Sequence, residues 1–372
     1  MSAVLFVGTY TQPLDHVNGK GKGIYSFSLD TTSGALAPLA VTEDIGNNPS
    51  YVACSSRALY AVNEDAAPQS QSPDKTTGFV RAFAIENGGK LRALGQRETF
   101  GAWSCHVALS HDGQYVAVSN YGGGNLAVYP VQADGSLGEA CDVKAFSGAS
   151  GAVPDRQEAS HVHSAKWVQH ADGSESLLAA DLGNDFVAQF AIDKNAHKLA
   201  PHTATPFAKR PAGAGPRHIA MHSTLRVAYV ADELSNTIGV HTIDATTGAL
   251  SEKCVQTISM LPDDFKGDSL AADIHVSSCG KFLYASNRGH DSLVSYRIDA
   301  AAGGKLERIG FVSTRGKAPR AFLVHGSFVL VANQNSDTIE VFAVNEQTGE
   351  LTFTGHSVAC PTPVSLCVVP SV

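Results

Sequence analysis

One short pattern returns seven times along the chain: an apolar strand ending in a polar pair, a few loop residues, a second strand, and a Gly-x-Leu turn. The pairs are Thr9-Tyr10, Asn63-Glu64, Asn120-Tyr121, Asp181-Leu182, Asp232-Glu233, Asn287-Arg288 and Asn333-Gln334, spaced 46 to 61 residues apart. The turns read Gly34-Ala35-Leu36, Gly89-Lys90-Leu91, Gly135-Ser136-Leu137, Gly248-Ala249-Leu250, Gly304-Lys305-Leu306 and Gly349-Glu350-Leu351; the fourth repeat has Lys198-Leu199 and no glycine. A strand-rich unit of this length cannot bury both its faces alone, so its copies must stack. Seven copies predict an all-β, seven-bladed β-propeller with four-stranded antiparallel blades, and one such domain over residues 1–372.

Period-two runs of β-branched and aromatic residues support the strand assignment, as in Tyr115-Val116-Ala117-Val118 and Phe282-Leu283-Tyr284-Ala285. Each repeat carries a further strand before its polar pair, for example Arg217-His218-Ile219-Ala220-Met221. The first repeat lacks this inner strand, and an unclaimed one, Val364–Val369, follows the last repeat. Residues 362–372 should therefore complete the first blade and close the ring, leaving no open edge. An antiparallel meander sorts its connections by face. The longer stretches, 11–22, 65–77, 146–160 and 258–271, all fall on the face where inner strands begin, and every long connection is expected there. The opposite face should carry only short turns.

Strand starts and strand ends on that face gather residues distant in sequence. Inner strands begin near Ser50, His106, His163, His218, Asp273, Arg320 and Ser365; second strands end near Glu64, Asp181, Glu233, Arg288 and Gln334. Asn63, Asn120, Asn287 and Asn333 read as turn caps. The histidines, arginines and carboxylates read as a site, because titratable groups concentrate there in a concave place. A His or Glu can take a proton from water. Arginines can hold a phosphate or carboxylate and stabilise an oxyanion.

Other chemistries find little support. There is no Gly-x-Ser-x-Gly elbow, no His-Glu-x-x-His and no phosphate-binding Gly-x-x-x-x-Gly-Lys-Ser/Thr loop. Gly19-Lys20-Gly21-Lys22-Gly23 leads into a strand, where no helix N-terminus awaits a phosphate. The formal charge of −8 disfavours nucleic acid. Seven cysteines without a Cys-x-x-Cys pair suggest free thiols and a reducing compartment. Val4–Val7 is too short for the core of a secretion signal, and no apolar run approaches a membrane span, so a cytoplasmic location is expected. No cofactor or metal site is expected.

The chain resembles the lactonase family of seven-bladed propellers, which includes propeller-type 6-phosphogluconolactonases and fungal carboxy-cis,cis-muconate cyclases. The likeness is carried by Val7–Thr11, Tyr60–Glu64, Pro154-Asp155-Arg156-Gln157 with His161-Val162-His163, Asp181–Asp185, Gly213–His218, Asp232-Glu233-Leu234, Ala271–Val276, Ser286–Gly289, Pro319–Phe322 and Ala332-Asn333-Gln334. The resemblance implies His163, Arg217, Glu233 and Arg288 as catalytic residues. It leaves a choice between His161 and His163, of which His163 aligns with His106 and His218. His106, His161, His218, Asp273, Arg320, Glu64, Asp181 and Gln334 are expected to contact substrate. The family commonly has Glu where Asp273 stands. The implied reaction is hydrolysis of 6-phospho-D-glucono-1,5-lactone, with His163 or Glu233 as base, and a small anionic lactone as partner of a monomer or weak homo-oligomer. A muconate cyclase, a calcium-dependent or other sugar lactonase, and a non-enzymatic scaffold are the alternatives.

Overall fold

The computed structural model describes residues 2–72, 74–170 and 172–370. Seven four-stranded antiparallel paths form, one per repeat, and the fourth carries an additional short strand. The sole helical element among the described residues is one 3-10 turn, Asn87–Gly89. From the axis outward, the third blade runs Ser104–Leu109, Tyr115–Asn120, Asn125–Pro130 and Asp142–Ala145. The first blade draws its inner strand from the other end of the chain: Pro363–Pro370 pairs antiparallel with Ser2–Thr9, from Ala3 opposite Pro370 to Thr9 opposite Pro363. Ring closure is therefore as the sequence predicts, while positions 371 and 372 of the predicted closing segment lie outside the described residues.

Alternating side chains of each strand go to opposite neighbours. Leu5 and Val7 pack with Leu330 and Ile339 of the seventh blade, whereas Val4 and Phe6 pack with Leu59 and Phe83 of the second. The remaining blade pairs are sealed the same way, by clusters centred on residues such as Tyr129, Trp167, Val230, Tyr296 and Phe342. Both faces of every inner sheet region are thus buried, which explains the near-continuous apolar runs.

The glycine turns also bind blade to blade. Tyr60, Tyr229 and Tyr284 donate their hydroxyls to the carbonyls of Gly135, Gly304 and Gly349 in the following blade, at 3.1, 2.8 and 3.1 Å. A Cβ at Gly349 would stand 2.3 Å from the Phe282 ring, and the residue has φ of 79°. The fourth repeat solves the same problem differently. Tyr115 meets His197 Nδ1 at 2.5 Å, and His197 itself adopts φ of 52°.

Two connection lengths depart from expectation. In the third and fifth blades the Gly-x-Leu turn forms only a single bridge, Val131 to Leu137 and Ile243 to Leu250. The outer strand resumes later, at Asp142 and Gln256. Residues 131–141 and 243–255 are therefore long connections on the face expected to carry short turns. The outermost strand packs on one neighbour only, so an interruption there exposes little apolar surface. On the other face, both ends of 65–77 are strand, since Ala58–Pro68 and Thr76–Glu86 extend past the sheet as a hairpin. Within 11–22, Pro13–Leu14 and Val17–Asn18 form a small hairpin over the axis side of the first blade.

Candidate active site

The polar pairs divide their labour. Their first members lock each blade to the loop that enters it. Asn63 Nδ2 donates to Asn47 O at 2.7 Å, Asn120 Nδ2 to Thr99 O at 2.7 Å, Asn287 Nδ2 to Met260 O at 2.8 Å and Asn333 Nδ2 to Thr314 O at 2.9 Å. Asp232 does this ionically: it is paired with Arg210 at 2.6 Å, and both side chains are wholly buried. Asp181 belongs to this set. Its carboxylate accepts from Ser160 Oγ, from the backbone N–H groups of His161, Gly183 and Asn184, and from Asn184 Nδ2. It stands apart from the cluster below because its register is that of the locking residues; the position nearer the axis in its repeat is Leu182.

The second members, Tyr10, Glu64, Tyr121, Glu233 and Arg288, meet the inner-strand residues around the axis. Glu233 is the hub and is 3% exposed. Its Oε2 lies 2.9 Å from Arg217 Nε, 3.0 Å from Arg288 Nη2 and 3.6 Å from His163 Nε2; its Oε1 accepts from Arg156 Nη2 at 2.6 Å. Burial opposes the Glu233 charge, but Arg288, Arg217 and Arg156 outweigh it and hold the carboxyl well below the usual range. The Oε2 contacts are ionic and poorly aligned: Oε2, Arg217 Nε and Arg288 Nε each lack a well-directed hydrogen bond in the protein. Backbone carbonyls anchor the arginines: Arg217 Nη1 donates to Ala272 O at 2.6 Å, and Arg288 Nη2, the nitrogen that also faces Oε2, donates to Ala271 O at 2.9 Å. Burial draws Arg288 down to about 9, and it remains cationic at neutral pH.

Burial, reinforced by Arg217, keeps the His163 imidazole neutral well below its usual pKa. Its Nδ1 faces Cys105 Sγ at 4.0 Å, which leaves Nε2 toward Glu233. His161 turns away. It stacks on Tyr121 with ring centroids 4.4 Å apart, and its Nε2 meets Glu158 at 2.9 Å. Of the two histidines, His163 reaches the hub.

A second carboxylate closes the opposite side. Glu64 Oε2 accepts from Ser50 Oγ at 2.7 Å and from Tyr10 OH at 2.9 Å, while Arg320 Nη2 donates to Tyr10 OH at 3.0 Å. Arg156, Arg217, Arg288 and Arg320 thus share Glu233 and Glu64, leaving surplus positive charge in an otherwise acidic protein. Below Arg217, His218 Nε2 accepts from its Nη1 at 3.2 Å, and His218 Nδ1 donates to Asp273 Oδ1 at 2.8 Å. Burial and Arg217 lower His218 to about 4. His106 sits beyond it, with ring centroids 5.4 Å apart, and does not touch Glu233. Gln334 is also removed from the hub: its amide donates to Asn335, and it lines a hollow under the 11–22 hairpin.

Sequence reasoning missed Arg156, Tyr10, Tyr121 and His16. Tyr10 and Tyr121 carried a usable signal, as they occupy the repeat position of Glu64, Glu233 and Arg288. Arg156 and His16 come from loops, where no repeat alignment reaches. His16 stands against Tyr10, with ring centroids 5.5 Å apart; burial, then Arg320 and Arg288, lower it to about 4. Among the described residues, no group of three or more His, Cys, Asp or Glu is placed to hold a metal ion, and no helix is long and apolar enough to cross a membrane. All seven cysteines are free.

Comparison with known proteins agrees with this architecture. The family described as Lactonase, 7-bladed beta-propeller matches residues 4–370. The 6-phosphogluconolactonase of Bacillus subtilis (strain 168) is 34% identical over 370 residues, covering 96% of each chain. A protein of the same name from Formosa agariphila is 32% identical over 355 residues, covering 93% of this chain and 94% of the other. The solved structure of the Pseudomonas aeruginosa periplasmic gluconolactonase superposes with a TM-score of 0.86 at 34% identity, covering 100% of both chains.

Proposed function

Because the chain belongs to the lactonase family of seven-bladed β-propellers, we propose that it is a lactone hydrolase acting on 6-phospho-D-glucono-1,5-lactone, the substrate of the second step of the pentose phosphate pathway, in the cytoplasm. The observation that carries the reading is the surplus of guanidinium groups around the buried Glu233 beside a neutral imidazole. The names of the Bacillus and Formosa relatives support the phosphorylated substrate.

In this mechanism His163 is the base. Three guanidinium groups hold Glu233 in its charged form, so its affinity for a proton is low. His163 Nε2 is neutral and 3.6 Å from that carboxylate, a spacing that leaves Nε2 without a direct hydrogen bond. Water attacks the lactone carbonyl carbon as its proton passes to His163, and Glu233 stabilises the imidazolium so formed. The carbonyl oxygen becomes an oxyanion beside Arg217 and Arg288. Collapse re-forms the carbonyl and breaks the bond to the ring oxygen, which takes the proton from His163 and leaves as the sugar hydroxyl. Arg320 and Arg156, at the margins of the cluster, receive the substrate phosphate. A lactone is already reactive, so positioning and modest proton transfer suffice.

The direct test measures loss of 6-phosphogluconolactone over its spontaneous rate, with unphosphorylated gluconolactone as a parallel substrate. Failure to accelerate either removes the proposal. The likeness to the Pseudomonas periplasmic gluconolactonase favours a second reading, in which the unphosphorylated lactone is preferred; a higher kcat/KM for that substrate selects it.

A further inference from the structure

We propose that the axial channel behind the arginine cluster holds a second, separate binding site, for a small phosphate, built by Tyr51, His106, Ser164 and Lys166. The inference stands independently of the reaction assigned above.

A cavity of about 450 Å³ runs along the axis toward the opposite face, lined by these four residues together with His218, Asp273 and His275. This volume is within the range of small-molecule sites. A layer of rings divides it from the arginine cluster: Tyr51 lies 4.2 Å from His106 and 5.9 Å from His218, centroid to centroid. Arg217, Arg288 and Glu233 do not line it.

The polar groups facing the cavity are unequal in kind. Among the described residues Asp273 supplies its only carboxylate, and both oxygens are already engaged. Oδ1 accepts from His218 Nδ1 and Ile274 N; Oδ2 accepts from His275 Nε2 and Phe322 N. Several of the groups left over can donate. Ser164 Oγ is buried without a hydrogen-bond partner in the protein. His106 Nδ1 accepts from Ala165 N at 3.4 Å, which places the proton of the neutral ring on Nε2. Tyr51 brings a phenol whose ionisation burial suppresses.

Lys166 supplies the charge. It follows Ser164 by two residues on the inner strand Val162–Gln169, so the two side chains share a face. Its side chain is solvent-exposed and lines both this cavity and the neighbouring hollow, beside His170 and His222. Among the described residues it has no carboxylate within ion-pair distance; Asp273 acts on it only at longer range. A cation without a paired anion, beside donors from three neighbouring blades and a saturated carboxylate, selects an oxyanion. A tetrahedral phosphate offers acceptors in several directions, as donors spread over three blades require.

Calorimetric titration of the full chain with inorganic phosphate, at low ionic strength, tests the site. Lys166→Met should weaken one binding event by at least about tenfold, the weight of a charge-assisted hydrogen bond. Ser164→Ala, which keeps the charge, should weaken the same event severalfold. That event should persist in Arg288→Met, in which the arginine cluster is impaired. Gluconate, a carboxylate of similar reach, should bind it less tightly than phosphate. Phosphate binding unchanged in Lys166→Met and in Ser164→Ala, or no phosphate event surviving Arg288→Met, overturns the proposal.

Discussion

His163 Nε2 stands 3.6 Å from Glu233 Oε2, and this pair joins the fourth blade to the loop that leaves the second strand of the fifth. The two groups are electrostatically unlike: an imidazole kept neutral by burial and by Arg217, and a carboxylate kept charged by arginines. A proton delivered to His163 is therefore received next to a fixed negative charge. His163→Gln should reduce kcat for lactone hydrolysis by about 10²- to 10⁴-fold, the usual contribution of a positioned base, with little change in KM. Steady-state kinetics on purified variant decides this; a kcat within twofold of the parent protein removes His163 as base.

The pH dependence follows from the same pair. A base whose pKa is lowered stays in its active neutral form further into acid. After subtraction of the spontaneous rate, kcat should stay level from pH 8 through 6.5 and fall only at lower pH. An inflection centred at 6.5 would mean that His163 is solvated like a free histidine.

Arg288→Ala should act in two ways. It removes a cation from the hub and leaves Ala271 O without that donor. We expect kcat/KM for the phosphorylated lactone to fall by about 10²-fold or more, the scale of one lost oxyanion contact. Restoring Lys should recover only part, since its compact ammonium on a shorter stem does not place a donor where Arg288 Nη2 meets both Glu233 and Ala271 O. Unchanged kinetics in Arg288→Ala would strip the residue of its role.

Stability should decline on mild acidification, before carboxylates titrate. His106, His163, His218 and His241 are buried and neutral, with pKa values lowered by burial first. The unfolded chain binds protons at these residues near pH 6.5; the folded chain does so only near 4 at His218 and His241, and only well below 6.5 at His106 and His163. Their stabilising contribution is fully present above 6.5 and is lost as pH falls through 6.5 toward 4. His218 alone, lowered to about 4, corresponds to roughly 3 kcal/mol. Thermal unfolding followed between pH 7.5 and 4.5 should show a falling Tm from about 6.5; a flat Tm across that interval would contradict the assignment.

Removal of residues 363–370 should abolish soluble folding. Without them Ser2–Thr9 loses its inner neighbour, and Val364, Cys367 and Val369 no longer cover the first two blades. Expression of the truncated chain as a monodisperse monomer would show that the ring can close without this strand. Within the ring, Asp232→Ala should cost about 3–5 kcal/mol, because it leaves the Arg210 guanidinium buried and unpaired. Denaturant unfolding measures that loss.

Much of this is legible in the amino-acid sequence itself. Strand periodicity, the seven polar pairs and the orphan strand at 364–369 are local signals, and repetition amplifies each one. They suffice for blade count, closure and the identity of the face that holds His163, Arg217, Glu233 and Arg288. Repeat alignment could not separate a locking residue from one that faces the axis, so Asp181 looked like Glu233, although its carboxylate is spent on its own turn. Nor could it reach Arg156 or His16, whose positions follow from loop paths that vary between blades. Only the closed ring brings Arg156 to Glu233 across 77 residues of sequence and joins Arg320 to Tyr10 across 310. Strand alternation is written in neighbouring residues, whereas the choice of which side chains meet at the axis depends on all seven blades being packed at once.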